Sequence, residues 1–253
     1  MVIYLLQMIL IFTIGLMVGS FLNVVIYRLP EGESIVFPSS HCPNCNHKLK
    51  IYDLIPVVSY LLLSGKCRYC DHEISVQYPL VELLTGIIFL LMYLKYGFSA
   101  KLIILLILIL ALISSSVIDL RFKIIPNKIT YPGIILGLIL SIFFEHITIL
   151  NSFLGALITA GLLFLIALFY KKGMGMGDVK LVAMIGAFIG WKYTLLGIFF
   201  GSLVGSIIGL TLIGTGIITR KTRIPFGPFI SFGTLISILY GQELIDIYLS
   251  LFI

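Results

Sequence analysis

Eight stretches of this chain are apolar for too long to belong to a water-soluble fold. They cover about 2–27, 77–95, 101–118, 129–146, 152–170, 178–191, 193–218 and 226–250. A run of roughly 20 apolar residues crosses the hydrocarbon core of a bilayer as a helix. Of the 253 residues 60% are hydrophobic and 11% charged, against roughly 25% charged in an average soluble domain. The expected fold is an all-α polytopic membrane protein with about eight transmembrane helices, the sixth short and its break from the seventh not set by the pattern. The first run lacks a basic leading segment and a small-residue cleavage site, so it reads as a retained span rather than a signal peptide.

The formal charge of +6 is not a nucleic-acid footprint, because it follows the runs. Arg28, Lys48, Lys50, Lys66 and Arg68 come after the first, and Arg121, Lys123 and Lys128 after the third. Lys171, Lys172 and Lys180 come after the fifth, and Arg220, Lys221 and Arg223 after the seventh. Lys95, Lys101 and Lys192 are left for the other side. Basic residues in short loops stay in the cytoplasm, so the odd-numbered loops are expected inside and both termini outside.

Three parts are expected: a first transmembrane helix over 1–27, a cytoplasmic loop domain over 28–76, and a seven-helix membrane core over 77–253. Glycines inside the runs (Gly15, Gly19, Gly186, Gly190, Gly201, Gly205, Gly209) often fall four apart, the pattern of close helix packing through small faces.

The loop holds all four cysteines and is too short for an ordinary core. "HCPNC" and "GKCRYC" place Cys42, Cys45, Cys67 and Cys70 as two C-x-x-C pairs, separated by the 21 residues from 46 to 66. Each pair can bend as a knuckle that aims two thiolates at one ion, and two knuckles complete a tetrahedral zinc shell. The separation is marginally longer than the usual template. A cytoplasmic position favours metal over disulfides. Four thiolates leave no open position for water, and no H-E-x-x-H helix is present, so the zinc is expected to be structural rather than hydrolytic. It supplies on the order of 10–16 kcal/mol in small peptide sites, enough to hold a loop with little core. His41, His47 and His72 read as solvated loop histidines, and a redox pair lacks the βαβ context it would need.

An acid within a spanning helix costs roughly 2.5–3.5 kcal/mol on insertion scales and is a functional candidate for that reason. Asp119, in "SSSVIDLRFKIIPN", closes the third run; Asp178, in "GMGMGDVKL", opens the sixth. With the odd loops inside, both belong at one depth on one face. Two carboxylates that share a site do not both ionise easily. Such a pair can hydrolyse a peptide: the charged member takes a proton from a water between them, the neutral member polarises the carbonyl, and the proton passes to the leaving amine. Which acid carries the proton belongs to the pair. Taken singly, each acid has a structural reading, Asp119 as an interfacial partner of Arg121 or Lys123.

Gly175 and Gly177 lack Cβ, so an extended substrate backbone can lie against them; a flexible helix start is the plainer alternative. They are no nucleotide fingerprint, because they follow a membrane helix rather than a strand. Glu82, in "YPLVELLTG", lies inside the second run and needs a partner or a ligand. Glu145, Glu243 and Asp246 are assigned no role.

Taken in order, these motifs resemble those of the bacterial prepilin peptidases, the type IV leader peptidases of the G-x-G-D aspartyl protease group. "GSFLNVVIYRLP" closes the first run and "QYPLVELLTG" opens the second; "VIDLRFKIIPN", "GMGMGDVKLVAM" and "IPFGPFIS" mark the third, sixth and eighth. A G-x-G-D alone is weak, but six motifs in this order, counting the cysteine loop, are specific. The resemblance implies a membrane endopeptidase of the bacterial cytoplasmic membrane, with its active site facing the cytoplasm. It would cut the leader from type IV prepilins and pilin-like precursors, with Asp119 and Asp178 as the catalytic dyad. Relatives with the cysteine loop also N-methylate the new terminus from S-adenosylmethionine. Gly65, in "SGKC", and Glu82 carry over as candidates for that cofactor. Gly175, Gly177 and Lys180, with Pro225, Gly227 and Pro228 of "PFGP", carry over as substrate contacts, although a rigid helix start accounts equally for the prolines. The stretch between "RLP" and "CPNC" is shorter than in several relatives.

Two rivals remain at this stage. A proton- or metal-coupled transporter requires polar residues through the bilayer midplane, whereas the middles of the third and fifth runs are almost wholly apolar. A non-enzymatic pilus assembly scaffold would tolerate loss of either aspartate.

Overall fold

The structure is a computed structural model that describes residues 2–144, 146–169, 174–219 and 222–251. Glu145, Lys171, Lys172, Arg220 and Lys221, which figured in the sequence reading, lie outside the described residues. The elements are α1 (Val2–Glu31), a 3₁₀ turn (Ile51–Leu54), α2 (Val58–Leu62), α3 (Gln77–Tyr96), α4 (Ala100–Phe122), α5 (Asn127–Phe143), α6 (Ile149–Phe169), α7 (Met176–Gly214) and α8 (Gly227–Ser250). Among the described residues extended pairing is limited to two isolated bridges, His41 with Lys48 and Lys66 with Glu73.

Six helices, α1, α3, α4, α6, α7 and α8, are long and apolar enough to cross a membrane. This differs from the expected eight for two reasons. α5 has 17 residues, and α7 runs for 39 through both the sixth and seventh apolar runs. Inside α7, Gly190 leaves the helical region (φ 75, ψ 171), close to the unplaced break. A residue with a Cβ is strained at such a φ, and the Asn151 side chain occupies the space where that Cβ would stand.

The chain divides into two compact units, Met1–Leu102 and Ile103–Ile253. In the first, α1 packs along α3. Small residues permit the approach: a Cβ on Gly15 would stand 2.8 Å from Cα of Gly86, and one on Gly19 2.7 Å from Cα of Glu82. Ile26 and Met92 are fully buried. Asn23 donates from Nδ2 to the Tyr78 carbonyl at 3.1 Å, and the Tyr93 hydroxyl donates to Gln7 at 2.8 Å. Arg28, buried at the end of α1, turns back to donate to the carbonyls of Ser34 (3.1 Å) and Pro38 (2.8 Å). A cation that would otherwise sit unpaired thereby satisfies the loop's first carbonyls.

In the second unit α7 packs against α5, α6 and α8. Gly155 of α6 lies backbone to backbone against Gly186, and Gly201 lies against Phe229 of α8. Hydroxyls bridge the same seams: Ser152 donates to the Ala187 carbonyl at 2.5 Å and Ser237 to the Tyr193 carbonyl at 2.6 Å. Lipid is as apolar as leucine, so close packing and interhelical hydrogen bonds replace the hydrophobic effect between such helices. The glycine spacing in the sequence signalled this packing.

Candidate functional site

Asp119 lies in the last turn of α4 and Asp178 is the third residue of α7; both belong to the second unit and both are buried. Each accepts a hydrogen bond from a glycine amide. Gly227, the first residue of α8, donates its N–H to Oδ2 of Asp119 at 3.0 Å. Gly175, the residue that caps α7, donates to Oδ2 of Asp178 at 3.2 Å. The latter is the reach-back of a helix N3 acid to its own cap, which satisfies an amide the helix leaves orphaned.

Ile125, just beyond α4, packs against Gly177 and Gly227, the glycines beside the two acids. A Cβ on Gly177 would stand 3.0 Å from Cβ of Ile125, and one on Gly227 3.2 Å from its Cδ1 and 2.8 Å from Oδ2 of Asp119. Gly177, half-buried, therefore has Ile125 against the side where a Cβ would stand. Gly175 is exposed, and beyond its own turn the space a Cβ would fill is open, so of the two glycines it is the one with room for a strand alongside. Lys180 donates to Oδ1 of Asn127 at 3.0 Å and lies 5.0 Å from the Tyr131 ring, which ties α7 to α5. Pro228 stands in the first turn of α8, two positions after its cap Phe226, and Pro225 precedes that cap. The proline motif thus also starts a helix, where a missing amide hydrogen does no harm.

Sequence reasoning missed the part played by four residues. The Gly227 amide was named only as a substrate contact, and a backbone donor leaves no signature in side-chain type. Ile125 looked like one more apolar residue. Ser115, fully buried, and Ser116 carry hydroxyls with no protein partner, four and three positions before Asp119; the "SSS" run was the available signal. On a helix these spacings share a face, so the two hydroxyls stand on the Asp119 side of α4.

The cysteines form a second centre, in the first unit. The sulfur atoms of Cys42, Cys45, Cys67 and Cys70 all lie within 4.8 Å of one another, with Cys42 and Cys70 at 3.8 Å. Zinc–sulfur bonds of about 2.3 Å in a tetrahedron require sulfurs about 3.8 Å apart, so the cluster fits a zinc ion. The two knuckles are built alike. The Cys42 amide donates to the His47 carbonyl and the Asn46 amide to Cys42; the Cys67 amide donates to His72 and the Asp71 amide to Cys67. Asn46 (φ 56) and Asp71 (φ 54) make the left-handed step in each. The His72 amide and Asn44, which lies 3.7 Å from the sulfur, favour the Cys70 thiolate and push this thiol down to about 6. Asp53 joins the centre to the 3₁₀ turn through Arg68 (2.7 Å) and Tyr69 (3.1 Å), and Tyr69 stacks on His47 at 3.6 Å. None of the three loop histidines is in the cluster.

Glu82, buried in α3, accepts the Val57 amide on Oε2 at 2.7 Å. Gly65 (φ 71) donates its amide to the Tyr60 carbonyl and accepts the Ile74 amide. A Cβ on it would stand 2.9 Å from the Tyr60 hydroxyl oxygen. Both residues brace the segment between the knuckles. Toward the last turns of α8, Asp246 accepts hydrogen bonds from Gln242.

Comparison with known proteins gives two matching family models. Residues 13–96 match the bacterial peptidase A24 N-terminal domain and residues 106–210 match the type IV leader peptidase family. Among curated proteins, the chain is 34% identical to a prepilin leader peptidase/N-methyltransferase of Pseudomonas putida, over 91% of this chain and 90% of that one. It is 36% identical to a protein of the same name from Pseudomonas aeruginosa (93% and 91% covered) and 36% to one from Bacillus subtilis (95% and 97%). No solved structure matches.

Proposed function

The chain belongs to the type IV leader peptidase family, and we propose that Asp119 and Asp178 are the pair of acids with which it cuts. Its activity is that of a prepilin leader peptidase and N-methyltransferase, an enzyme integral to the cytoplasmic membrane. The transporter and scaffold readings find no support among the relatives.

One observation carries the catalytic assignment. Two buried carboxylates, 59 positions apart (178 − 119), belong to one unit, each held by a glycine amide, and Ile125 packs against the glycine beside each. With Oδ2 of each acid fixed by an amide, Oδ1 is the oxygen left to address a water and a carbonyl. The ionised carboxylate removes a proton from the water as its oxygen bonds to the scissile carbon. The protonated one donates to the carbonyl oxygen. Collapse of the tetrahedral adduct breaks the carbon–nitrogen bond, and the amine leaves with the proton the first acid took up. The open flank of Gly175 accommodates an extended substrate segment, and the Ser115 and Ser116 hydroxyls offer polar contacts for water beside Asp119. Lys180, Gly177 and the Pro225–Pro228 stretch shape this surroundings, Gly177 and Gly227 through Ile125.

Clients are the precursors of type IV pilins and pilin-like proteins. The alternation of basic loops supports a reaction at the cytoplasmic face with both termini outside. Zinc held by the four cysteines stabilises the loop between α1 and α3. S-adenosylmethionine, when bound, would supply the methyl group for the new amino terminus. Glu82, and the buried Asn23 Oδ1 that lacks a protein partner, are acceptors suited to a cationic group of this kind. Gly65 closes the turn between Tyr60 and Ile74 in the loop that Glu82 holds through Val57.

The test is co-expression with a leader-bearing prepilin, following its mobility shift. Asp119→Asn and Asp178→Asn should each abolish processing while the protein still inserts; normal cleavage by either variant removes the pair from the mechanism.

A further inference from the structure

The chain between the two knuckles carries an apolar stripe that a structural zinc loop does not need. Ile51 and Leu54 of the 3₁₀ turn, Ile55 just after it, and Val58, Leu61 and Leu62 of α2 are six apolar side chains within twelve residues, the two turns of helix being separated by Pro56 and the left-handed Val57 (φ 62). All six are exposed, Ile51 at 89%, Leu62 at 79% and Leu61 at 68%. The other side of the segment is engaged with the loop's own structure. Asp53 holds Arg68 and Tyr69, and Tyr60 receives the Gly65 amide. Asp53 thus points to the second knuckle, while the six apolar side chains stay exposed.

Its depth is set by one hydrogen bond. The Val57 amide donates to Glu82 at 2.7 Å, and Glu82 is the sixth residue of α3, a helix of spanning length. Five steps at about 1.5 Å each put that carboxylate about 7.5 Å along the helix from its first residue. The segment is pinned against the flank of a spanning helix within its first two turns. If the bilayer begins at the first turn of α3, exposed side chains at that level meet lipid. The flanks carry the matching charge: residues 46–68 hold Lys48, Lys50, Lys66 and Arg68 against the single acid Asp53, so 4 − 1 = +3. Arg68 is paired with Asp53, and the three lysines are exposed.

We infer that residues 51–62 form an interfacial segment lying in the leaflet from which the cysteine loop emerges, its apolar stripe at the acyl boundary and Lys48, Lys50 and Lys66 on anionic lipid phosphates. Segments of this type sink about 5–10 Å into the headgroup region, and basic residues beside them favour anionic lipid. The segment would hold the cysteine centre against the membrane, where the freshly cut end of a membrane-anchored client lies. The inference rests on α1 and α3 spanning the bilayer, not on the assignment of Asp119 and Asp178.

The test uses the full chain with its single tryptophan removed (Trp191→Phe), reconstituted in vesicles of phosphatidylcholine alone or mixed with phosphatidylglycerol. Leu62→Trp and, separately, Ile51→Trp place an indole on the stripe; Glu73→Trp places one on the second knuckle as the aqueous reference. Lipid bearing a nitroxide high on its acyl chain should quench the two stripe indoles several-fold more than the reference, and acrylamide should do the reverse. Phosphatidylglycerol should deepen the lipid quenching, and high salt should cancel that increment. Acrylamide quenching equal to the reference, or shielding from both quenchers, overturns the inference, the latter because protein then covers the stripe. Prepilin cleavage in the same vesicles reports separately on the proposed function.

Discussion

The amide of Gly227 donates a 3.0 Å hydrogen bond to Oδ2 of Asp119 and so joins the first residue of α8 to the last turn of α4, across 108 positions of sequence. A carboxylate at the end of an apolar helix can rotate freely unless something holds it. Here the holder is a backbone group, whose position is set by the packing of a whole helix rather than by a rotamer. The proposed chemistry needs that rigidity, since the second oxygen has to face the reacting atoms.

Gly227→Ala tests this directly. The added Cβ would stand 2.8 Å from Oδ2 of Asp119 and 3.2 Å from Ile125, so either the carboxylate or the start of α8 has to move. Displacing a catalytic group by about 1 Å costs on the order of 100-fold in rate. Prepilin processing should fall by about that factor while expression and insertion stay normal, measured as a cleavage time course in membranes.

Metal removal should separate the two activities. Chelation, or Cys42→Ser, leaves the second unit and its acids unchanged in composition, but removes the zinc proposed to organise the loop or one of its ligands. Methylation of the new amino terminus should be lost before cleavage is, read by mass spectrometry of the processed client. Prompt loss of cleavage with the fold intact would instead indicate a zinc mechanism for hydrolysis.

Asp53 gives a pH signature. Burial opposes ionisation of its carboxyl, but Arg68, the Lys50 amide and Tyr69 outweigh burial and hold it below the ordinary carboxylate range. A depressed folded-state value contributes stability above the unfolded value and loses it as pH falls through the folded one. Asp53→Asn should therefore speed zinc release to a chelator by a constant factor from neutral pH down to about pH 4, the ordinary Asp range. Below it the two proteins should converge. A factor that shrinks already between neutral pH and there would show that Arg68 does not hold the carboxylate.

The helix seam gives a stability test. At Gly186 any side chain would run into the backbone of Gly155 and Ala156. Gly186→Val should destabilise the second unit by about 1–3 kcal/mol, the usual range for overpacking, seen as a lower unfolding temperature in detergent. Gly161→Val, at a position with nothing within 4 Å of an added Cβ, should not.

The amino-acid sequence by itself determined the class of this protein, its apolar helices, the family and the residue types of both centres. Apolar length and C-x-x-C spacing are local properties, readable wherever they occur, and two aspartates stand out in so apolar a chain because their insertion is costly. Three-dimensional packing decided the rest: that α7 runs through two apolar stretches with Gly190 as its one non-helical residue, that Gly177 is covered by Ile125 while Gly175 is open, and that a backbone amide 108 positions away fixes Asp119. Those facts depend on which helix faces meet, and an amide hydrogen is common to every residue but proline, so no pattern of side chains can announce which one a distant carboxylate will find.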